Sequence, residues 1–455
     1  MSGRFIVEHE DRDADMRKPR AAARRTLLLT PCAALLVAGF ALPPDPGSAA
    51  PSEARAASPA PPAATGAAPS PDPGGSALKQ IDPDALQAAV ERAAEELKVP
   101  GAMVLLRTPQ GTFRASVGTT ELGAADPPAT DTRFRIASNT KTLTSALVLL
   151  LAQDGRLRLA DPVSDYVPGV PNGQHITIAQ LLTMRSGLYN YTDAPQLSAS
   201  LDAEPAEART PREMLAIAFS RPPNFPPGTA YEYSNTNYVL LGLVAEKAGG
   251  QPLARQFRER LTGPLALKGT SLPDIHDTSL PAPSSHGYMY GGTAYALTDK
   301  PYPADVREAA ESGKLKPLDY THQNPSYAYA AGGAVSTAED LATWIRSLTT
   351  GKVLGPALQK QWLDSPRAQD PAAPDGQKYG YGIAYQRFGP KAAMYFHGGE
   401  LPGFNSFVGH DPDNDVTLVV WTNLPVAPDG RTTANAMVPT VLDQVYAGLS
   451  LPGAH

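Results

Sequence analysis

The spacing of apolar positions predicts strands near both ends of the folded chain and helices between them. A helix is expected where apolar residues recur every three or four positions, and a strand where a short apolar run or an alternation is bounded by turn residues. The predicted helices cover residues 82–98, 140–151, 178–184, 211–219, 236–247 and 434–447. The predicted strands cover residues 103–106, 112–117, 380–386, 393–396, 404–409 and 416–422.

This order of elements predicts an α+β fold. The two outer blocks can build one antiparallel sheet flanked by the terminal helices, and the middle forms a mostly helical lobe. A cleft between two lobes is the expected place for a ligand. Residues 268–330 are rich in Pro, Gly and Tyr and have no clear periodicity. Their Tyr288, Tyr290 and Tyr295 either overhang the cleft and set specificity or pack on the surface.

The amino-terminal 50 residues have the layout of an export signal. The basic pair Arg24–Arg25 precedes an apolar run at 26–42 and small residues at 47–50, which predicts a signal peptide or N-terminal anchor over residues 1–50. The arginine pair also suggests the twin-arginine route, with an ordinary secretory signal as the alternative. Residues 1–15 are acidic and do not suit an export signal, so translation is expected to start at Met16.

Residues 51–77 are dominated by Pro, Ala, Ser and Gly. Such a composition cannot bury enough apolar surface to repay chain ordering, so this segment is predicted to be a disordered linker. Residues 78–455 are expected to form the catalytic domain. The domain would then be secreted or held at the cell surface, outside the cytoplasmic membrane, with membrane contact only through the amino-terminal segment if it stays uncleaved.

Charge and metal-ligand content narrow the function classes. The 455 residues include 39 basic and 45 acidic side chains, a net charge of -6, without a basic stripe in the main body. This balance disfavours nucleic-acid binding. Cys32 is the only cysteine, so neither an intramolecular disulfide nor a cysteine-based metal site can form. The eight histidines form no HxxxH or HExxH pair, and neither a metal nor an organic cofactor is expected.

The segment RIASNTKTLTSALVLLL at residues 135–151 places Ser138 three positions before Lys141 and at the head of an apolar helix. One interpretation is structural, because serine is a good helix cap and the S-x-x-K pattern also occurs at Ser76–Lys79 in the linker. The alternative is a nucleophile and its base. Residues i and i+3 share a helix face, and a desolvated lysine has a lowered pKa and can take a serine proton.

Two further motifs strengthen the chemical interpretation of Ser138. Tyr233-Ser234-Asn235 is the only Y-x-N in the chain and precedes an apolar helix, although its tyrosine could be a core aromatic and its asparagine a cap. His397-Gly398-Gly399 ends a strand pattern, and Gly399 is expected to let a substrate backbone approach the strand edge. The histidine could also be structural. Lys378-Tyr379-Gly380 is a rival motif, ranked lower because it follows a polar loop.

With these three motifs, the chain resembles the serine penicillin-recognising hydrolases. The nearest branch contains class C β-lactamases, exported D-alanyl-D-alanine carboxypeptidases and related esterases, which have S-x-x-K, Y-x-N and K/H-x-G in this order. Tyr233 and His397 lie 95 and 259 residues after Ser138, separations similar to those of the family. Four stretches add to the resemblance, at residues 155–168, 177–193, 226–242 and 330–344. The resemblance covers roughly residues 82–450 and implies a β-lactamase/transpeptidase-like fold.

The resemblance implies a role for each matched residue in the first two motifs. Ser138 would be the acylated nucleophile. Lys141 and Tyr233 would share the general-base and proton-relay work, and which of them takes the proton is left open. Asn235 would hold the substrate amide.

The third motif would line the cleft opposite the tyrosine. His397 takes the place of the usual lysine, Gly398 and Gly399 belong to the substrate-binding strand edge, and the backbone N–H groups of Ser138 and Glu400 would form the oxyanion hole. Relatives that bind a terminal carboxylate usually carry hydroxyl residues where this chain has Gly398 and Glu400, and a glutamate there repels a carboxylate.

The function favoured by these residues is that of a secreted serine hydrolase, most simply a D-alanyl-D-alanine carboxypeptidase acting on peptidoglycan peptides. In that case Arg387 or Lys391 is the candidate source of positive charge. A carboxylesterase or a weak class C-like β-lactamase is the alternative within the same chemistry. From another class, the chain could be a non-catalytic penicillin-binding-like sensor or wall-binding module. The expected partner is a small-molecule or peptide substrate: a D-Ala-D-Ala peptide, an ester or a β-lactam.

Overall fold

The computed structural model describes residues 77–298 and 300–449. The predicted signal peptide or anchor at 1–50, and the predicted linker apart from its last residue, lie outside the described residues. Within the described ranges, no helix has the length and apolar character needed to cross a membrane.

Helices make up the middle of the chain and both of its ends. In chain order they are α1 (Pro83–Glu96), α2 (Thr140–Gln153), α3 (Ile178–Leu182), α4 (Pro195–Ala203), α5 (Pro211–Phe219), α6 (Asn235–Gly249), α7 (Leu253–Phe257), α8 (Ala294–Leu297), α9 (Ala304–Glu311), α10 (Tyr329–Gly332), α11 (Ala338–Thr349), α12 (Pro356–Leu363) and α13 (Thr433–Val445). Single 3-10 or π turns lie at Ala137–Asn139, Val163–Asp165, Gly173–His175, Tyr191–Asp193, Arg258–Thr262 and Pro325–Ala328.

The strands come mainly from the two ends of the chain. They are β1 (Gly101–Thr108), β2 (Gly111–Gly118), β3 (Phe134–Arg135), β4 (Tyr288–Met289), β5 (Leu318–Asp319), β6 (Val335–Ser336), β7 (Arg367–Ala368), β8 (Lys378–Tyr379), β9 (Ala384–Gly389), β10 (Ala392–Leu401), β11 (Phe404–Asp411) and β12 (Val416–Thr422). The main sheet is antiparallel, in the order β2-β1-β12-β11-β10-β9-β8-β7. The predicted α+β architecture is therefore confirmed.

The sheet joins the ends of the folded region. Strand β1 pairs with β12 from Ala102 opposite Thr422 to Arg107 opposite Thr417. Helices α1 and α13 pack against each other and on the sheet, as predicted for the terminal helices, and α11 also packs on β1, β11 and β12. Helix α1 begins where it does because the Asp82 side chain accepts the N–H groups of Asp84 and Ala85.

The lobe that holds the middle helices is built around α2. Every residue of α2 from Thr140 to Leu151 is buried, and α2 contacts α6, α7 and α10. A helix that is buried on all sides is fixed by tertiary packing, so its first turn has a well-defined position.

Two predicted strand boundaries are wrong. The strand predicted from Gly380 begins only at Ala384, because Gly382 turns the chain with a φ of +68°. A Cβ at Gly382 would lie 2.5 Å from the Cβ of Ser145, so only glycine lets this turn pack on α2. The strand predicted to end at Phe396 continues to Leu401, so the third motif lies within β10 and not after it.

The segment 268–330 packs on other parts of the chain as well as on itself, since the Tyr288 N–H donates to the Asn423 carbonyl at 2.8 Å. Tyr288, Tyr290 and Tyr302 are buried in a second small apolar cluster, separate from the main core. The packing alternative therefore holds for Tyr288 and Tyr290. The Tyr295 ring lies 4.8 Å from that of Tyr302. Its neighbours in α8, Ala296 and Leu297, line the cavity that also contains Ser138, whereas Tyr295 is not among the described lining residues.

Candidate active site

Ser138 lies in a strained turn between β3 and α2. The preceding Ala137 has a φ of +48°, a left-handed conformation that is unfavourable for alanine. Asn139 anchors the turn, since its Nδ2 donates to the Ile136 carbonyl at 3.1 Å and to Ser406 Oγ of β11 at 2.8 Å. Both flanking residues are buried, whereas Ser138 is half-buried and lines the cavity. The turn therefore presents the hydroxyl of Ser138 to a ligand.

The helix-cap interpretation of Ser138 is wrong. No side chain caps the first turn of α2, whose N-cap position is Asn139. Instead, Lys141 Nζ donates to Ser138 Oγ at 2.9 Å. The serine and lysine therefore meet on one face of the turn, as the spacing predicted.

Lys141 is fully buried and has only neutral groups as hydrogen-bond partners among the described residues. Besides Ser138 Oγ, its Nζ donates to Asn235 Oδ1 and to the Ala331 carbonyl, both at 2.7 Å. Burial lowers the pKa of Lys141 well below its usual value. Three donated hydrogen bonds belong to the protonated amine. Once it loses a proton, two N–H groups remain and its lone pair can accept from the Ser138 hydroxyl at 2.9 Å, so the geometry is that of a nucleophile beside a general base.

The Y-x-N motif faces this pair from the start of α6. The Tyr233 hydroxyl hydrogen-bonds with Ser138, and the Tyr233 ring centre lies 4.9 Å from Lys141 Nζ. The pKa of Tyr233 is raised, mainly by burial, so the phenol stays protonated at neutral pH. Tyr233 is thus placed beside the nucleophile and not merely in the core, and it is suited to donating a proton.

Asn235 connects α6 to the lysine and to a neighbouring loop. Its Oδ1 accepts from Lys141, its Nδ2 donates to Thr192 Oγ1 at 3.1 Å, and its backbone N–H donates to Asn190 Oδ1 at 2.9 Å. The cap interpretation fails here too, since the Asn235 side chain makes these contacts and no cap bond. The sequence analysis did not single out Asn190 and Thr192 as site residues, although both lie in the matched stretch 177–193.

His397 is buried and neutral. Its Nδ1 lies 2.6 Å from the Gly398 carbonyl, an acceptor, so Nδ1 carries the proton. Its Nε2 then accepts from the Tyr379 hydroxyl at 3.0 Å. The pKa of His397 is lowered to about 3, mainly by burial and to a smaller extent by the charge of Lys141. The ring centres of His397 and Tyr233 are 6.4 Å apart, so the histidine lies across the cleft from the tyrosine as predicted.

Tyr379 belongs to the rival motif that the sequence analysis ranked second. Lys378 and Tyr379 form the short strand β8, as expected of a strand start, and Lys378 is not among the described residues that line the main cavity. The buried Tyr379 nevertheless lines the cavity and hydrogen-bonds with His397. The rival motif thus supplies a supporting residue and not the strand edge beside Ser138.

Gly399 has a structural role in addition to the predicted one. A Cβ there would lie 2.3 Å from the Ile136 carbonyl oxygen and 2.8 Å from Asn139 Nδ2. The glycine is therefore required by the protein's own backbone next to Ser138, and its predicted use by an approaching substrate backbone stays a prediction. At Gly398 the nearest atom to an added Cβ is 3.6 Å away, on Asn435, so that position is merely open.

One edge of β10 is open beside the nucleophile. Strand β9 pairs with β10 only as far as Phe396, whereas β11 pairs with it as far as Leu401. Gly398, Gly399 and Glu400 line the same cavity as Ser138. The predicted oxyanion hole from the N–H groups of Ser138 and Glu400 stays a prediction.

The cavity at Ser138 has a volume of about 990 Å³ and an acidic lining. Three carboxylate side chains, Asp193, Glu232 and Glu400, line it, and Lys300 is the one lysine or arginine among its described lining residues. The two cations suggested from the sequence are elsewhere. Arg387 and Lys391 line a separate cavity of about 310 Å³ beside Pro390, so neither supplies positive charge at Ser138.

Comparison with known proteins gives several matches. The family model described as Beta-lactamase matches residues 86–441. Protein flp of Staphylococcus aureus (strain MW2) is 27% identical over 345 residues, which cover 74% of this chain but only 62% of that protein. Penicillin-binding protein 4* of Bacillus subtilis (strain 168) is 24% identical, with 76% of this chain and 73% of that protein covered.

Among solved structures, the D-stereospecific amidohydrolase from Streptomyces sp. is similar. It has a TM-score of 0.67 and 29% identity, and the match covers 78% of this chain and 97% of that chain. The resemblance found in the motifs, and the fold that it implies, are confirmed by these matches together.

Proposed function

This chain belongs to the Beta-lactamase family, and we propose that it is a serine amidohydrolase that acts on D-amino-acid amides and short peptides with a free amino group. The observation that carries the proposal is the charge of the cavity. Asp193, Glu232 and Glu400 create a negative potential where a substrate binds. Such a potential attracts an ammonium group and repels a carboxylate.

The chemistry proposed at Ser138 is acyl transfer in two steps. Neutral Lys141 takes the Ser138 proton while Oγ attacks the amide carbonyl, and the backbone N–H groups of Ser138 and Glu400 hold the oxyanion. Tyr233 passes a proton to the departing amine and is reprotonated from Lys141. Water then attacks the ester carbonyl by the reverse route, which releases the acid and restores Ser138.

The similarity to a D-stereospecific amidohydrolase supports the choice of an amide with a D-configured acyl group. The third motif supports it as well. Gly398 and Glu400 offer no hydroxyl or cationic side chain to a substrate carboxylate, and His397 is neutral. A substrate whose leaving group carries no charge therefore fits this strand edge better than one that ends in a carboxylate.

The test compares D-alaninamide and D-phenylalaninamide with their L-forms and their N-acetylated forms, with ammonia release as the measurement. We expect turnover of the free D-amides, at least tenfold lower kcat/KM after N-acetylation, and no turnover by Ser138→Ala. Glu400→Gln should reduce the preference for the free amine and leave the N-acetylated rate little changed. Preferred cleavage of the N-acetylated substrates would refute the amino-group assignment.

A D-alanyl-D-alanine carboxypeptidase is the second candidate, supported by the similarity to Penicillin-binding protein 4*. One observation favours it. The Arg185 guanidinium lies 5.6 Å over the ring of Tyr231, which lines the cavity. Burial lowers the pKa of Arg185, and the charge of the nearby Arg367 lowers it further. Neither arginine is among the described residues that line the cavity, so a carboxylate held by this pair would bind next to Tyr231 and outside the cavity. Release of D-alanine from N-acylated D-Ala-D-Ala, lost in Arg185→Ala, would establish this activity.

The same assays separate the remaining alternatives. A chromogenic ester that is cleaved without any amide turnover would indicate a carboxylesterase, and rapid loss of a chromogenic cephalosporin would indicate a β-lactamase. Binding of penicillin without turnover of any substrate would indicate the sensor or wall-binding module.

We also propose that the enzyme works outside the cytoplasmic membrane. The basic, apolar and small-residue segments within residues 1–50 support export. Amino-terminal sequencing of the protein from an expressing culture tests this: a mature start after residue 42 in the medium or cell-surface fraction is expected, and an intact chain in the cytosol would contradict it.

A further inference from the structure

One end of the active-site cavity has an apolar lining that the chemistry at Ser138 does not use. This apolar arm is formed by Phe388 of β9, Phe396 of β10 and Phe407 of β11, with Val438 and Pro439 of α13. The Phe396 ring stacks on Phe407 at 5.0 Å and lies 6.0 Å from Phe388. These side chains line the same cavity as Ser138, so the arm is continuous with the reaction centre.

The arm is open because β10 has a glycine between it and α13. Gly398 pairs with Phe407 across the strands, and the nearest atoms to a Cβ at Gly398 would be those of Asn435, at 3.6 Å and 3.7 Å. A larger side chain at 398 would project into this space. Pro439 presents a ring and no N–H group to the arm, so the α13 side is apolar there as well.

The position of the proton donor decides which half of the substrate enters the arm. The departing amine must receive its proton from Tyr233, which faces His397 across the cleft with ring centres 6.4 Å apart. Because side chains alternate along a strand, those of Phe396 and Glu400 lie on the α13 face of β10 with Gly398, whereas His397 faces Tyr233. A leaving group held at Tyr233 and His397 therefore reaches the arm by passing over Gly398, which has no side chain, toward the Phe396 end of the strand, and the acyl group continues toward the Glu400 end.

We propose that the apolar arm is a leaving-group subsite, which selects amides and esters whose departing amine or alcohol is an alkyl or aryl group. The inference rests on the proposed acyl transfer at Ser138. It adds the class of substrate: an acyl group with a free ammonium at the acidic end, joined to an uncharged, hydrophobic leaving group. Each buried methylene of the leaving group should raise kcat/KM about fourfold.

The experiment measures kcat/KM for the methyl, ethyl, propyl and butyl amides of one D-amino acid, and for the matching esters. The alkyl amines have nearly equal basicity, so the series reports binding and not leaving-group reactivity. We expect a rise of at least tenfold from methyl to butyl in any series that is cleaved. A flat series, or the absence of turnover in both series, overturns the subsite. Cleavage of the esters alone refutes the amidase proposal and still tests the subsite.

Val438→Thr is the deciding variant, because threonine has nearly the same shape and adds one hydroxyl to the arm. The butyl-to-methyl ratio should fall at least threefold in Val438→Thr. Ala436→Ser, on the same helix but not among the described cavity-lining residues, is the matched control and should keep the wild-type ratio. An unchanged ratio in Val438→Thr overturns the proposal. So does an effect of this variant on acyl-chain preference, D-alanyl against D-norleucyl, in place of leaving-group preference.

Discussion

Replacing Gly399 by alanine tests how closely β10 must approach the nucleophile. The added Cβ would lie 2.3 Å from the Ile136 carbonyl oxygen and 2.8 Å from Ser406 Oγ. An ordinary contact begins at 3.4 Å, so β10 and the turn that carries Ser138 must separate by about 1 Å, a displacement that costs about 100-fold in rate between catalytic groups. The overpacking should also lower the free energy of unfolding by about 1–3 kcal/mol.

The matched variant is Gly398→Ala, one residue earlier on the same strand. Its Cβ would meet nothing closer than Asn435 at 3.6 Å, so we expect less than a tenfold loss in kcat/KM and little change in unfolding. The assay is the acylation rate of both variants with one chromogenic ester, together with urea unfolding. Equal losses in the two variants, or a Gly399→Ala enzyme with nearly wild-type acylation, would refute the close-approach argument.

Three further predictions concern the titratable groups. His397 and His410, whose pKa values burial lowers to about 3 and about 4, bind a proton only in the unfolded chain between those values and 6.5. The free energy of unfolding should therefore fall below pH 6.5, by up to about 1.4 kcal/mol per pH unit for each histidine, and His410→Gln should flatten this slope in urea titrations; an unchanged slope would contradict it. Lys141→Met should lower acylation by about 10²–10⁴-fold and raise the pKa of His397 in NMR titration, whereas an unmoved histidine would contradict their electrostatic contact. Tyr379→Phe should lower kcat/KM by about 2- to 10-fold through the lost hydrogen bond to His397. The control is Tyr385→Phe, in β9 and not among the described cavity-lining residues, and equal rates in the two variants would count against the prediction.

The larger elements and the candidate catalytic residues were predictable because their signals are local. The long strands and helices have a periodicity that survives in the sequence, but β3, β6, β7 and β8 contain two residues each and have none. The start of β9 was missed because a glycine turn at Gly382 packs on α2, a contact between residues distant in sequence.

The same distinction holds within the site. The S-x-x-K, Y-x-N and H-G-G motifs are short patterns and were found, whereas the link of Asn190 to the site is a hydrogen bond to the backbone of Asn235, 45 residues later. Gly399 was singled out correctly as a position for glycine, but the sequence does not show what approaches it. The approaching group is the Ile136 carbonyl, which only the folded chain brings there.

The neutral state of His397 connects the catalytic geometry to substrate choice. A lysine in its place would put a cation on β10 if it stayed charged. The neutral His397 instead donates its Nδ1–H to the Gly398 carbonyl, and its Nε2 accepts from the Tyr379 hydroxyl. A second charge so near Lys141 would also oppose protonation of the general base, since like charges in a buried site destabilise each other. The buried histidine thus leaves Lys141 as the single basic group at Ser138, and the carboxylates of the cavity face no fixed cation on β10. Both effects favour a substrate with a positive acyl end and an uncharged leaving group.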